Sequence, residues 1–107
     1  MKLKFIAAAM LVLASSGASL ANCYEDLGCT DGDRFRRADV SAMSCQALWE
    51  VRNAIYYENG LCFQTKRAIN FFGNSGCYVD DPAAIKFNKY EQGNVDMIRS
   101  IEKSRGC

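Results

Sequence analysis

The chain has 107 residues, with 13 lysine and arginine residues against 12 aspartate and glutamate residues, six cysteines and no histidine. This near-balance of charge gives no electrostatic reason to expect binding to nucleic acid or to an anionic membrane surface. The lack of histidine excludes Ser-His and Cys-His nucleophile pairs and all histidine metal sites.

Residues 1–21 have the three-part layout of a secretory signal peptide. Two lysines precede an uncharged apolar run from Phe5 to Ala14, and small residues end the segment at Ser19-Leu20-Ala21. We expect cleavage after Ala21, which would leave a mature chain with 11 basic and 12 acidic side chains, since Lys2 and Lys4 are removed.

The same segment has two other interpretations, a membrane anchor and a lipoprotein signal. An anchor needs about 20 apolar residues to cross the hydrocarbon core, and this run has roughly ten. A lipoprotein signal needs a small residue before the modified cysteine, whereas Asn22 precedes Cys23. The sequence therefore favours soluble export to the periplasm or the medium.

Residues 22–43 are rich in Asp, Gly and Arg and predict an irregular N-terminal lead-in, with Phe35 and Val40 as apolar anchors. No segment of the chain has a convincing alternating pattern of a strand. A short basic cluster in the lead-in is expected to be a solvated face: Arg34, Arg36 and Arg37.

The first helix is predicted from Ser44 to the stop signal Asn59-Gly60. Ser44 is a favourable N-cap, and Met43 and Leu48 have the spacing of a hydrophobic staple. Asn59-Gly60 supplies a left-handed C-cap. One face of the helix is marked by residues at three- and four-residue spacing: Cys45, Leu48, Trp49, Arg52, Ile55 and Tyr56.

Two further helices are predicted downstream. The shorter runs from Thr65 to Phe72 and is broken by a Gly-Asn-Ser-Gly run. The longer starts at Asn88, in a sequence with the form of a capping box, and extends to about Ser104. Asp81-Pro82 can open one additional turn. The buried edge of the last helix is expected at Val95, Ile98 and Ile101 or Glu102.

These elements predict a mostly α, single small domain of about three helices stapled by three disulfides. A chain of this length builds only a marginal core, so cross-links are expected to supply stability. All six cysteines follow the cleavage point: Cys23, Cys29, Cys45, Cys62, Cys77 and Cys107. Zinc binding is the competing interpretation, but the close C-x-x-C pairs of structural zinc sites are lacking.

The helix layout favours one disulfide pairing among the alternatives. Cys45 and Cys62 flank a helix of about 21 Å, whereas a disulfide needs Cα atoms within about 7 Å. A bond from Cys62 to Cys77 would enclose the second helix. Cys107 would lie beside Cys45 if the first and last helices pack antiparallel, which leaves Cys23 and Cys29 to each other.

One series of residues is distinctive when taken together: Leu48-Trp49, Arg52-Asn53, Ile55-Tyr56, Gly60, Phe63, Thr65-Lys66-Arg67, Phe72 and Tyr78. In this series the chain resembles the YARHG domain, a small exported bacterial module, over about residues 44–104, and we expect the domain to occupy residues 44–107. The cysteine-rich form resembles a branch associated with exported proteins of alphaproteobacteria.

The chain departs from this family at the motif that names it. Residues 56–60 read Tyr-Tyr-Glu-Asn-Gly where the family has Tyr-Ala-Arg-His-Gly. A catalytic pair formed by that arginine and histidine therefore cannot operate here. The resemblance implies a location and a fold, and no reaction.

Carboxylate pairs are the remaining catalytic candidates. Asp31 and Asp33, like Asp80-Asp81, lie beside glycine or proline, where aspartate commonly caps helices or stabilises turns. A calcium loop starting at Asp31 would need an oxygen ligand at its fifth position and a glutamate at its twelfth, which are Phe35 and Ala42 here. We expect no catalytic residue, no metal site and no cofactor.

The aromatic residues have two interpretations, a glycan-stacking platform or core. Their positions fit the core faces of the helices better, because a small domain needs most of its aromatic rings inside. The residues concerned are Trp49, Tyr56, Phe63, Phe71, Phe72, Tyr78 and Phe87.

Arg52 and Asn53 are the candidate binding residues. Arg52 lies between Trp49 and Tyr56 on one helix face, so its guanidinium is expected to be partly buried and bound to backbone carbonyls of residues 60–64 or 73–78. Asn53 is expected to bond a neighbouring loop in the same way. We favour this structural role over ligand anchoring.

The sequence thus predicts a non-catalytic, exported binding or structural module of the bacterial cell envelope, with an envelope glycan or an envelope protein as partner. The first alternative is an inhibitor of a secreted or lytic enzyme, which would present a protruding loop such as residues 73–82. The second is a small hydrolase, which would need carboxylates that converge in a pocket.

Overall fold

The computed structural model describes residues 21–107, so residues 1–20 of the predicted signal peptide lie outside the described residues. The described chain is mostly helical and carries three disulfides, which confirms the predicted fold class. In chain order its elements are β1 Cys23–Tyr24, β2 Gly28–Cys29, α1 Arg37–Ser41, α2 Cys45–Glu58, α3 Lys66–Phe72, a 3-10 turn Pro82–Ala84 and α4 Lys89–Arg105. Within residues 21–107, none of the helices has the length and apolar character needed to span a membrane.

Each of the three longer helices has a side-chain N-cap, which confirms the caps predicted at Ser44 and Asn88. The Ser44 hydroxyl accepts a hydrogen bond from the Ala47 amide at the start of α2, and Thr65 caps α3 through the Ala68 amide. Asn88 forms the full capping box of α4 with Glu91. These side chains satisfy backbone donors that the first turn of each helix leaves free.

Helices α2 and α4 pack against each other and run antiparallel. Cys45 at the start of α2 is bonded to Cys107 just after α4, while Asn59 after α2 donates a hydrogen bond to Glu91 near the start of α4. The other disulfides join Cys23 to Cys29 and Cys62 to Cys77. These are the three pairs expected from the sequence.

The core is divided into two clusters along the α2–α4 pair. The lead-in cluster consists of Phe35, Val40, Leu48, Val51, Ile98 and Ile101. The α3 cluster consists of Ile55, Tyr56, Leu61, Phe63, Ala68 and Val95. The predicted buried edge of the last helix is therefore shared between the two, with Val95 in one and Ile98 and Ile101 in the other.

The lead-in is more ordered than the sequence indicated. Residues 23–29 form an antiparallel hairpin whose two strands have two residues each, and Arg37–Ser41 form the helix α1. The expected anchors are confirmed, since Phe35 and Val40 are 1% and 0% exposed. Helix α1 was missed because its N-cap makes no side-chain hydrogen bond and because burial of Val40 in the tertiary core holds it in place.

The segment between α2 and the 3-10 turn folds back on itself. Leu61 and Val79 form a parallel bridge, another short strand pairing that the sequence did not predict. Asn74 contributes a second pairing, because its side-chain amide accepts from the Phe63 amide at 2.7 Å and donates to the Phe63 carbonyl at 3.1 Å. The Cys62–Cys77 disulfide closes the same loop.

Candidate functional site

Arg52 forms a two-pronged ion pair with Glu102 of α4. Its Nε lies 2.6 Å from one carboxylate oxygen and its Nη2 lies 3.1 Å from the other. The two side chains are only 20% and 14% exposed. The expected partial burial of Arg52 is confirmed, but the expected acceptors are wrong. A carboxylate on the facing helix replaces the loop carbonyls, because it neutralises the guanidinium as well as bonding it.

Asn53 bonds its own helix. Its Nδ2 donates to the Trp49 carbonyl at 2.9 Å, so the expected bond to a neighbouring loop is wrong. This i to i−4 bond adds little to helix stability. Asn53 therefore has a weaker structural reason to be present than Arg52 has.

Arg52 and Asn53 both line a groove of about 290 Å³, which we call the Asn53 groove. Its buried lining is apolar, from Leu61, Phe63 and Ala68. Trp49 contributes a half-buried wall. The exposed lining is mainly polar, from Gln64, Thr65, Asp80 and Pro82. A largely apolar lining with a few polar groups is typical of a small-ligand site.

Beyond Trp49, the surface carries a series of aromatic rings that touch one another. Trp49 lies 5.6 Å from Phe71 and 5.9 Å from Phe72, and Phe72 stacks on Tyr57 at 5.6 Å, measured between ring centroids. Tyr57 and Tyr78 line a common depression of about 280 Å³. We call this set the aromatic face: Trp49, Tyr57, Phe71, Phe72 and Tyr78.

The prediction that the aromatic residues form the core is wrong for two of them. Tyr56 and Phe63 are buried, but Phe71 is 53% exposed and Tyr78 is 77% exposed. Helix α3 is only seven residues long and buries only Ala68, so no layer of structure covers its outer side. Tyr57, which the sequence did not single out, is 43% exposed.

Backbone hydrogen bonds hold the chain at Tyr78, although the ring of this residue is exposed. The amides of Tyr78 and Val79 both donate to the Gly60 carbonyl, and the Cys62 amide donates to the Val79 carbonyl. The Tyr78 ring rests on Gly60, where an added Cβ would lie 2.3 Å from a ring carbon. The ring therefore depends on glycine at position 60, which also has a positive φ of 86°.

Cations border the aromatic face and the Asn53 groove. The Arg67 guanidinium lies 3.8 Å from the centre of the Trp49 ring, a cation–π contact. Arg99 donates to the Tyr56 hydroxyl at 2.6 Å and lines a further depression together with Arg52 and Lys103. Aromatic rings and guanidinium groups therefore lie side by side here, together with the carboxylates of Glu102 and Asp80.

The acidic clusters flagged in the sequence have local structural roles. Asp33 accepts a hydrogen bond from the Cys29 amide, Asp31 accepts one from Asn22, and Asp81 caps the 3-10 turn through the Ala83 amide. Across residues 21–107, no group of three or more acidic or cysteine side chains is placed to hold a metal ion. The predicted solvated face in the lead-in is exposed as expected: Arg34, Arg36 and Arg37.

Two pKa shifts mark a negative potential near the hairpin. Burial raises the pKa of Glu58 above its ordinary value of 4.5, Glu91 and Asp31 raise it further, and a hydrogen bond from Thr30 opposes the shift. The pKa of Tyr24 is raised by burial, then by Glu58 and Glu50. Both shifts follow from carboxylates that are close together in a partly desolvated region.

The helical fold and its three disulfides form a small, compact module, which is consistent with an extracellular or periplasmic location. The family model described as YARHG domain matches residues 27–103, most of the chain, and the chain belongs to this family. No curated protein and no solved structure matches the chain. The match begins inside the lead-in, in agreement with the contribution of Phe35 and Val40 to the core.

Proposed function

We propose that the protein is a non-catalytic binding module of the periplasm or the extracellular space, and that it binds envelope glycan through the aromatic face and the Asn53 groove. The observation that carries this proposal is the continuity of exposed aromatic rings with a groove of polar rim and apolar floor. A sugar ring has an apolar face of C–H groups that packs on aromatic rings, and hydroxyl groups that pair with amides and carboxylates.

The dimensions fit a chain of sugars. At about 290 Å³ the Asn53 groove is near the lower limit of small-ligand sites, so it suits one sugar unit. Trp49 belongs to both the groove and the aromatic face, so adjoining units would extend across Phe72 and Phe71. Asn53 would supply its free side-chain oxygen to a hydroxyl group of the ligand.

The location and the absence of catalysis rest on separate observations. Three disulfides persist in oxidising compartments, and the family is in general a non-catalytic module of the extracellular type. An intact-mass measurement of exported protein tests the location. We expect a chain that begins at Asn22, whereas a retained leader or an acylated Cys23 would contradict it.

Binding is tested by sedimentation with purified peptidoglycan and by titration with soluble peptidoglycan fragments. Trp49 is the only tryptophan in the chain, so its fluorescence reports directly on the site. We expect Phe71→Ser and Asn53→Ala each to weaken binding about tenfold without lowering stability, the result of losing about 1.4 kcal/mol of contact.

Tyr90→Ser and Asn70→Ala are the matched controls, since both residues lie outside the groove and the aromatic face. Binding by the parent that the controls weaken as much as the test variants would contradict the proposed site. A parent protein that binds neither peptidoglycan nor another envelope polysaccharide would contradict the proposed function.

One observation favours a second candidate function, the inhibition of a secreted or lytic enzyme. Residues 73–82 form a largely exposed loop, fixed by the Cys62–Cys77 disulfide, that presents Tyr78 outward. A rigid loop with an exposed aromatic anchor loses little entropy when it enters a partner's pocket. Inhibition of purified lytic enzymes that is abolished by Tyr78→Ser and unaffected by Asn53→Ala would favour this function over glycan binding.

A further inference from the structure

A second groove lies where the hairpin, α1 and α2 meet, and we call it the acidic groove. It encloses about 450 Å³. Tyr24, Leu27 and Met43 pack against the lead-in cluster and give the groove an apolar floor. Carboxylates line it as well: Glu25, Asp26, Asp39 and Glu50. The α2 residues that line it follow a different side of the helix from Trp49 and Asn53.

Most of the charge around the acidic groove is not neutralised within the described chain. Asp39 is paired with Arg36 at 3.0 Å. Glu50 accepts a hydrogen bond from the neutral side-chain amide of Gln46. Among residues 21–107, neither Glu25 nor Asp26 forms an ion pair. Arg105 also contacts this region, where it donates to the backbone carbonyls of Ser41 and Met43.

The raised pKa of Tyr24 agrees with this distribution of charge. Burial is its main cause, and Glu58 and Glu50 add to it, so the phenol on the floor of the groove lies in a negative potential. A ligand with apolar side chains and no cation would desolvate the carboxylates without pairing them, which is costly. A bare metal ion would leave the apolar floor in contact with water.

We propose that the acidic groove binds a cationic amphipathic peptide segment, with its lysine or arginine side chains on the carboxylate rim and its apolar side chains on the floor. Charge complementarity identifies this partner, because the floor and the rim each match one half of such a segment. The proposal does not depend on glycan binding, since the two sites share no residue.

The probe is a short synthetic helical peptide of lysine and leucine, compared with a peptide in which glutamate replaces every lysine. Titration calorimetry on the full mature protein should detect binding of the lysine peptide only, with affinity that falls as salt is added because the paired charges are exposed. The double variant Asp26→Asn with Glu50→Gln should weaken binding about tenfold, the effect of two partly exposed charge pairs.

The matched control is Asp80→Asn with Asp96→Asn, which changes the net charge equally outside the acidic groove. Equal loss of affinity in the control would overturn the proposal, because the peptide would then be attracted only by overall charge. Equal binding of the glutamate peptide, or loss of binding in Phe71→Ser but not in the groove variant, would also overturn it. The proposal would also be overturned if the protein did not bind the peptide but formed a dimer that Glu50→Gln weakens. The groove would then be an interface between two copies of this chain.

Discussion

The two core clusters lie on the same helix pair but are covered in different ways. The lead-in cluster is covered by Phe35 and Val40, which are almost completely buried. The Cys45–Cys107 disulfide joins helices α2 and α4 at the same end. The α3 cluster is covered by half-buried rings, including Trp49 and Phe72, and leaves further aromatic surface exposed. The core is therefore closed at the lead-in end, whereas exposed aromatic side chains lie beside it at the α3 end.

The contrast also extends to charge. Around the lead-in cluster the groove is lined by carboxylates, whereas Arg67 and Arg99 lie beside the rings around the α3 cluster. Carboxylates thus outnumber cations in the acidic groove, although the net charge of the whole chain is +1. If both proposals hold, the two sites would bind chemically different partners.

Removing the Cys45–Cys107 disulfide is expected to have the largest effect on stability. It closes a loop of 62 residues, against 15 for Cys62–Cys77. From loop-closure entropy we expect Cys45→Ser with Cys107→Ser to cost about 4 kcal/mol and the Cys62–Cys77 pair about 3 kcal/mol. Urea unfolding measures both. A larger loss at Cys62–Cys77 would move the stable end of the molecule to the α3 cluster.

Arg52→Ala tests the ion pair between α2 and α4. We expect a loss of about 2 kcal/mol, because Glu102 remains partly buried without its partner. Arg52→Lys should recover only part of this loss, since lysine lacks the planar fork. A double-mutant cycle with Glu102→Gln measures the coupling by thermal unfolding. A variant that keeps the parental stability but loses glycan binding would show that Arg52 serves the ligand instead.

Gly60→Ala tests how the aromatic face is positioned. A positive φ is expected to cost about 1 kcal/mol, and the new methyl group would displace the Tyr78 ring. Gly73→Ala is the matched control, because Gly73 has a φ of 78° but no atom within 4 Å of an added Cβ. NMR contacts of the Tyr78 ring should change in the first variant only. Unchanged contacts in both would contradict the Gly60 packing.

Glu58→Gln should have the smallest effect and a defined pH dependence. Because the folded-state pKa of Glu58 is raised, the native state binds more protons than the unfolded state above the unfolded pKa near 4.5. The parent should therefore lose stability as pH rises from 4.5 through the raised pKa, and the variant should not lose this part. Thermal unfolding from acidic to neutral pH compares them. A variant less stable than the parent at neutral pH would show that the Thr30 bond outweighs the burial of charge.

Local sequence patterns are sufficient to predict where the long helices begin. They are insufficient to predict which side chains pair between helices. The caps at Ser44, Thr65 and Asn88 bond to amides three residues away, so the sequence around each one determines it. Arg52 and Glu102 are 50 residues apart, and no local pattern specifies that pair. Helical spacing correctly assigned a face to Arg52 but could not identify its acceptor.

The aromatic face shows a second limit of sequence reasoning. Helical periodicity identifies a row of apolar residues but does not indicate whether another layer of structure covers it. The sequence therefore predicts Phe71 in the core, whereas the short helix α3 leaves it exposed in the structure. Tyr57 carried a usable signal, since it follows Tyr56 and therefore points away from the face that Tyr56 buries.

The Cys45–Cys107 bond also determines what a protease can achieve. A single peptide-bond cut anywhere between these residues leaves two pieces joined through the disulfide, so neither fragment can diffuse away. A cut between Cys62 and Cys77, for example at residues 73–76 of the exposed loop, would be bridged by the Cys62–Cys77 disulfide as well. Because the pieces remain at high effective concentration, their native packing can survive the cut. A module secreted among hydrolytic enzymes would thus be converted to a nicked but assembled form before any part of it is released.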